Sequence, residues 1–209
     1  MKNILPKKIS IFPLRGAVFF PKTNLPLNIF EDRYLKMVED ALKSDGHIGM
    51  IQSKKLGGDV FRVGCLGKID KHEKTPDGRI LINLKGLTRF SISNEIENNK
   101  KYREFNVNYE KFKGDMMFGE NEIKKDLLKK LTEDSTKFFN QQGMLINWQE
   151  FSRLKNFQQI FTLAMISPFS VAEKQKLLEC PNLNEVAEVL HEMIKFGFYE
   201  NQNDKNSIQ

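Results

Sequence analysis

Two hydrophobic periodicities divide this chain. In the first half apolar residues fall in short runs or alternate with polar ones; in the second they recur every three or four residues. The first pattern is that of strands and the second that of helices. Ile9–Phe12 and Ala17–Phe20 are short apolar runs, each stopped by a proline (Pro13 and Pro21), which reads as strand ends. Tyr34, Met37, Val38, Ala41 and Leu42 then form a helical stripe. Glu31 and Asp32 stand in its first turn, where the helix dipole favours carboxylates, and Gly46 lies just past its end. His47–Ile51 and Val60–Val63 read as strands. Thr75-Pro-Asp-Gly-Arg79 is the clearest hairpin turn, since Asp-Gly tolerates positive φ and Pro76 is pre-set for a turn. Beyond it Ile80, Ile82 and Leu84 alternate with Leu81, Asn83 and Lys85, and Thr88–Ile92 and Tyr102–Tyr109 supply two more strands. Short strands around a single helix predict a small barrel or sandwich-like sheet.

The second half carries four apolar stripes. Ile123, Leu127, Leu128, Leu131, Phe138 and Phe139 predict one long helix. Phe157, Ile160, Phe161, Ala164 and Met165 predict another, ended by Ser167-Pro168. Ser170-Val-Ala-Glu173 is a capping box opening a helix with Leu177 and Leu178. The last stripe, Val186, Val189, Leu190, Met193 and Ile194, is expected to end at Gly197. The fold class is therefore α+β. A β-rich subdomain is expected over residues 1–112 and a helical one over 113–199, joined near Lys113–Gly119. The polar tail 200–209 is expected to be disordered.

Charge sharpens this division. The 209 residues carry 33 Lys+Arg and 27 Asp+Glu, a net of +6. Residues 1–112 hold 21 and 13 of these, a net of +8, and residues 113–209 hold 12 and 14, a net of −2. No apolar run approaches the ~20 residues of a membrane helix. The basic start lacks the apolar core of a signal peptide. Two cysteines, Cys65 and Cys180, are too few for a disulfide framework. A cytoplasmic protein with no membrane partner is expected.

Candidate chemistry is sparse. His47, His72 and His191 are far apart in sequence, and neither cysteine has a neighbour at ligand spacing, so no metal or cofactor is expected. No Gly-x-Ser-x-Gly nucleophile motif occurs. Gly64-Cys-Leu-Gly-Lys68 has the wrong spacing for a phosphate loop and carries Ile69 where Ser or Thr would meet magnesium. No catalytic residue is assigned. The lysines of the first half, among them Lys7, Lys8, Lys54, Lys55, Lys100 and Lys101, leave nucleic-acid binding open, although no RNA-binding motif accompanies them.

The densest pattern is Ile11-Phe-Pro-Leu-Arg-Gly-Ala-Val-Phe-Phe-Pro21, followed by Leu25-Pro-Leu-Asn-Ile-Phe-Glu-Asp-Arg-Tyr34 and Ile48-Gly-Met50. It resembles the N-terminal, substrate-binding domain of the Lon protease family, as do Val63-Gly-Cys-Leu-Gly67, Pro76-Asp-Gly78 and Gly86-Leu-Thr-Arg-Phe90. The helical segments Leu163-Ala-Met-Ile and Ala172–Leu178 resemble that family more loosely, so the likeness spans about residues 9–197. Asn28 and Asp32 depart from its pattern. The resemblance implies a PUA-like β pseudo-barrel with one inserted helix, followed by a C-terminal helical bundle. It further implies a stand-alone, non-enzymatic recognition module, without the ATPase and peptidase parts of a full Lon protease. Such a module would bind unfolded or exposed polypeptide segments, with a protease or chaperone as possible partner. The alternative is an RNA-binding PUA-like protein using the basic half. Strand edges accept extended peptides and exposed aromatics take apolar side chains. On that basis Phe19, Phe20, Ile29, Phe30, Tyr34 and Met50 are the candidate peptide-binding residues, while Glu31 and Arg33 are expected to set the helix start.

Overall fold

A computed structural model describes residues 5–55, 58–117 and 123–206. Six strands come first: β1 (Lys8–Leu14), β2 (Asn24–Ile29), β3 (His47–Ser53), β4 (Val60–Lys74), β5 (Ile80–Ile96) and β6 (Glu104–Asn108). Helix α1 (Asp32–Leu42) lies between β2 and β3, and a 3-10 segment, Glu110–Met116, follows β6. Then come α2 (Lys125–Gln141), α3 (Trp148–Phe151), α4 (Asn156–Ile166), α5 (Val171–Glu179) and α6 (Leu183–Asn206).

The strands run in the order β2-β5-β4-β3-β1-β6, and β6 pairs back onto β5, which closes the sheet into a pseudo-barrel. The β1–β3 pairing is parallel and the others are antiparallel. Closure works because β5 is long enough to serve two neighbours. Its first part, Ile80–Lys85, pairs with β2, and its last part, Ser91–Ile96, pairs with β6. Inside, Ile9, Ile11, Ile51, Leu66, Phe90 and Phe105 form one buried cluster. Each such side chain contributes roughly 1.5–3 kcal/mol by leaving water.

The chain divides into two compact units. One comprises Met1–Met117 with Ser170–Glu179; the other comprises Phe118–Phe169 with Cys180–Gln209. The boundary expected after residue 112 therefore falls later, and α5, expected in the helical part, joins the barrel. Gln52 Nε2 donates to Gln175 Oε1 (3.0 Å) and to the Val171 carbonyl (3.2 Å), and Gln175 Nε2 donates to the Val63 carbonyl (3.1 Å). The Ser170–Glu173 capping box opens α5 as expected: Glu173 N–H donates to Ser170 Oγ and Ser170 N–H to the Glu173 carboxylate.

The same unit holds a buried ion pair. Arg89, fully buried on β5, donates from Nε (2.9 Å) and its backbone N–H (2.9 Å) to Asp115 Oδ2. Its Nη2 donates to Asp115 Oδ1 (2.7 Å) and its Nη1 to the Leu178 carbonyl of α5 (3.1 Å). In the second unit α2 and α6 pack closely at Gly197, where an added Cβ would lie 2.9 Å from the Phe138 ring. That contact explains a glycine inside α6, where the sequence suggests a helix end.

Four further expectations are corrected. Ala17–Phe20 is not a strand; its buried residues cross as a loop beside β5. Strand β1 continues through Pro13, which pairs with Ile51. Strand β2, not among the expected strands, alternates Leu25, Leu27 and Ile29 with Pro26 and Asn28; the proline argues against a strand, but it is tolerated because β2 sits at a sheet edge. The tail's backbone is helical to Asn206, and residues 207–209 lie outside the described residues. Phe118 and Gly119, part of the expected junction, also lie outside them.

Candidate functional site

The six candidate residues are not one surface. Phe19 and Phe20 are held under the strap that follows β1, with relative exposures of 2% and 0%. The strap is tied to β5 by Lys22 N–H to the Gly86 carbonyl and Gly86 N–H to the Thr23 carbonyl, both 2.9 Å. A Cβ at Gly86 would stand 2.1 Å from the Phe20 carbonyl oxygen, and one at Gly67 would stand 2.9 Å from the Phe19 ring. Glycine at these two strand positions is what lets the strap lie flat. Ile29, Tyr34 and Met50 are buried as well: Ile29 closes β2, Tyr34 faces inward from α1, and Met50 pairs with Phe12 and Cys65 in the sheet. Each of these five spends most of its apolar surface on the core, and of them Tyr34 also lines the groove described below.

Phe30 is the exception. It links β2 to α1 and is 65% exposed. Among the described strands β2 alone has a single neighbour, β5, so one of its edges is free. A free strand edge ending in an exposed aromatic is the combination that β-augmentation uses.

On the other side of Phe30 in the chain, Glu31 borders a groove of about 320 Å³. Its apolar floor is Pro13 and Leu14, half-buried at the end of β1, with the fully buried Ile11 beneath. Glu31 and Arg33 stand on its rim from the start of α1, and Arg33 donates to Glu31 Oε2 from Nε (3.0 Å) and Nη2 (2.7 Å). Glu31 sets the helix start through its backbone, whose carbonyl accepts from the N–H groups of Tyr34 (2.8 Å) and Leu35 (2.9 Å). The Arg33 guanidinium lies 4.6 Å from the Tyr34 ring centroid, and that ring lies 4.4 Å from Phe12. Burial pushes the Tyr34 hydroxyl pKa up. On the opposite wall Arg103 donates to both Glu95 oxygens (2.7 and 2.6 Å) and to the Gly58 carbonyl (3.2 Å). Tyr102 donates to Asp40 Oδ2 (2.8 Å), which also accepts from Lys36 through Oδ1 (2.6 Å). Arg15 and Lys101 complete the rim, and both are exposed. The groove gave no signal in the sequence because its residues come from four separate segments of chain.

Other candidate chemistry stays dispersed. Among the described residues no three His, Cys, Asp or Glu side chains gather as a metal site would require. Both cysteines are buried, and desolvation pushes the Cys65 thiol well above its usual range. His191 Nε2 lies 2.8 Å from Asp134 Oδ2 within the second unit, a pair joining α6 to α2. Part of the basic face is already neutralised, since Lys8 and Lys100 both pair with Glu104 (3.0 and 2.9 Å). No described helix is long and apolar enough to cross a membrane.

Comparison with known proteins agrees with this architecture. A family model described as the ATP-dependent protease La (LON) substrate-binding domain matches residues 8–195. The chain is 25% identical over 199 residues to a Lon protease of Dictyoglomus thermophilum, covering 87% of this chain and 23% of that protein. It is 27% identical over 195 residues to a Lon protease of Buchnera aphidicola, covering 88% and 24%. The chain thus spans about a quarter of the length of these curated relatives. Among solved structures, a Lon N-terminal domain protein from Xanthomonas campestris superposes with a TM-score of 0.64 at 19% identity, covering 88% of this chain and 96% of that one. The N-terminal domain of a Mycobacterium avium complex Lon protease gives 0.65 at 16% identity, covering 90% and 98%.

Proposed function

The chain belongs to the family of LON substrate-binding domains, and from that premise we propose that it is a non-enzymatic module that binds unfolded or exposed polypeptide segments. In this reading it hands its clients to a protease or chaperone as an adaptor. The observation that carries the reading is the position of Phe30: 65% exposed, at the end of the free β2 edge and one residue before the groove. An extended client would pair along β2 through its backbone and set an apolar side chain against Phe30. Affinity would come from main-chain hydrogen bonds and selectivity from the side chains.

The test compares a permanently unfolded, fluorescently labelled polypeptide with its native form by anisotropy, using wild type and Phe30→Ser. Wild type should prefer the unfolded form. Phe30→Ser should weaken that binding at least tenfold while shifting stability by less than about 0.5 kcal/mol, because the ring packs against little. Equal binding of native and unfolded probes would sink the reading. A steep preference for RNA that collapses between low and moderate salt would replace it with the RNA-binding alternative drawn from the +8 half.

A further inference from the structure

The groove beside Phe30 has a charge pattern that names part of what would fill it. Four cations and one carboxylate line it. Two of the cations are already spoken for: Arg33 by Glu31, and Arg103 by Glu95 in a two-bonded pair. Arg15 and Lys101 have no ion pair among the described residues, although both are exposed on the same rim. Between the rims the floor is aliphatic, formed by the half-buried Pro13 and Leu14. At about 320 Å³ the space lies near the lower end of the roughly 300–1,000 Å³ typical of ligand sites, enough for part of a chain rather than a folded partner.

We propose that this groove receives an acidic side chain of the bound polypeptide between Arg15 and Lys101, with an apolar neighbour of that residue lying on Pro13 and Leu14. The module would thereby prefer client segments in which Asp or Glu adjoins an apolar residue. The inference rests on the polypeptide-binding reading above and adds to it a preference of sequence. Two unpaired cations over an apolar floor complement one carboxylate carried on an apolar stem. A nucleic-acid strand fits the same features less well. Glu31 on the rim opposes a run of phosphates, and the aromatic residues that line the groove, Tyr34 and Tyr102, are 6% and 4% exposed and offer no full stacking face. Partly desolvated pairs of opposite charge sharpen specificity more than they raise overall affinity, so the effect belongs in a ratio.

The experiment uses the full chain and two short labelled peptides that differ only in one residue, Glu against Gln, between Leu and Phe. Wild type should bind the Glu peptide about tenfold more tightly than the Gln peptide. In the Arg15→Gln/Lys101→Gln double variant that ratio should fall to about one. A Lys129→Gln/Lys130→Gln control, which removes the same charge from α2, should keep it. Thermal melts of the variants establish that the fold is intact. Equal affinity of wild type for the two peptides overturns the groove assignment and leaves polypeptide binding standing. Failure to bind either peptide removes both. Single-stranded RNA binding more tightly than either peptide, and losing affinity in the double variant, assigns the groove to nucleic acid and also overturns the proposal.

Discussion

Phe19, Phe20 and Phe30 share a chemistry and lie within twelve positions of chain, yet two are core and one is 65% exposed. Side-chain type alone does not separate them; the backbone around them does. Gly67 and Gly86 open the space that the first two fill, whereas Phe30 sits where the chain leaves β2 for α1 and no facing element covers it. Arg89 makes the converse case. A charge inside the apolar strand pattern reads as a surface residue, but it is fully buried because Asp115, 26 positions away, supplies its counter-charge. Replacing Asp115 by Asn should therefore cost about 3–5 kcal/mol in urea unfolding, since it leaves a buried guanidinium without its partner. The paired change Arg89→Met with Asp115→Leu should recover a large part of that loss. Equal destabilisation by the single and paired variants would contradict this account.

At the scale of elements, what could be read from the sequence depended on how far a signal was local. Helix α1, the Asp-Gly hairpin and the capping box of α5 all carry their information within a few residues, and all three form as read. Gly78, with φ of +88°, provides the turn's left-handed residue. Strands β4 and β5 are each longer than their apolar alternation suggests, because bulges at Leu66/Gly67 and Ile69/Lys71 shift the register and scramble the period of two. The groove was not legible at all, being an accident of neighbours rather than a stretch of chain. The strap over β5 offers the sharpest test at this scale. Gly86→Ala would drive a methyl group toward the backbone carbonyl of Phe20, an atom that cannot swing aside as a side chain would. The expected loss is at least about 1–3 kcal/mol, accompanied by loss of amide-exchange protection at Lys22 and Gly86. Unchanged protection at those two amides would show that the strap tolerates the added methyl.

For the molecule as a whole, titration sets the pH range of stability. A bond from Lys36 lowers the Asp40 carboxyl pKa, Arg103 lowers Glu95, His191 lowers Asp134, and Arg79 brings Asp77 down to about 2. Their ordinary values are 3.8 for aspartate and 4.5 for glutamate. Below these the unfolded chain takes up protons that the native state resists, so stability should fall as pH drops from about 4.5 toward 2. Burial acts the other way on Tyr34, Tyr102 and Tyr109, raising each above the usual 10.0. The unfolded chain then loses protons first, and stability should fall as pH rises above about 10. Urea midpoints measured from pH 2 to 11 should trace both arms with a plateau between; a midpoint still rising below pH 4 would contradict the assigned pairs. One other property belongs to this scale. The first unit is complete only when α5 has joined it, and α5 follows residues 118–169, which belong to the other unit. A nascent chain must therefore carry a nearly finished first unit, with Arg89 still lacking its Leu178 acceptor and Gln52 its amide partner, until residue 179 has left the ribosome. For that interval the first unit waits on a segment of chain that is made only after residues 118–169 of the second.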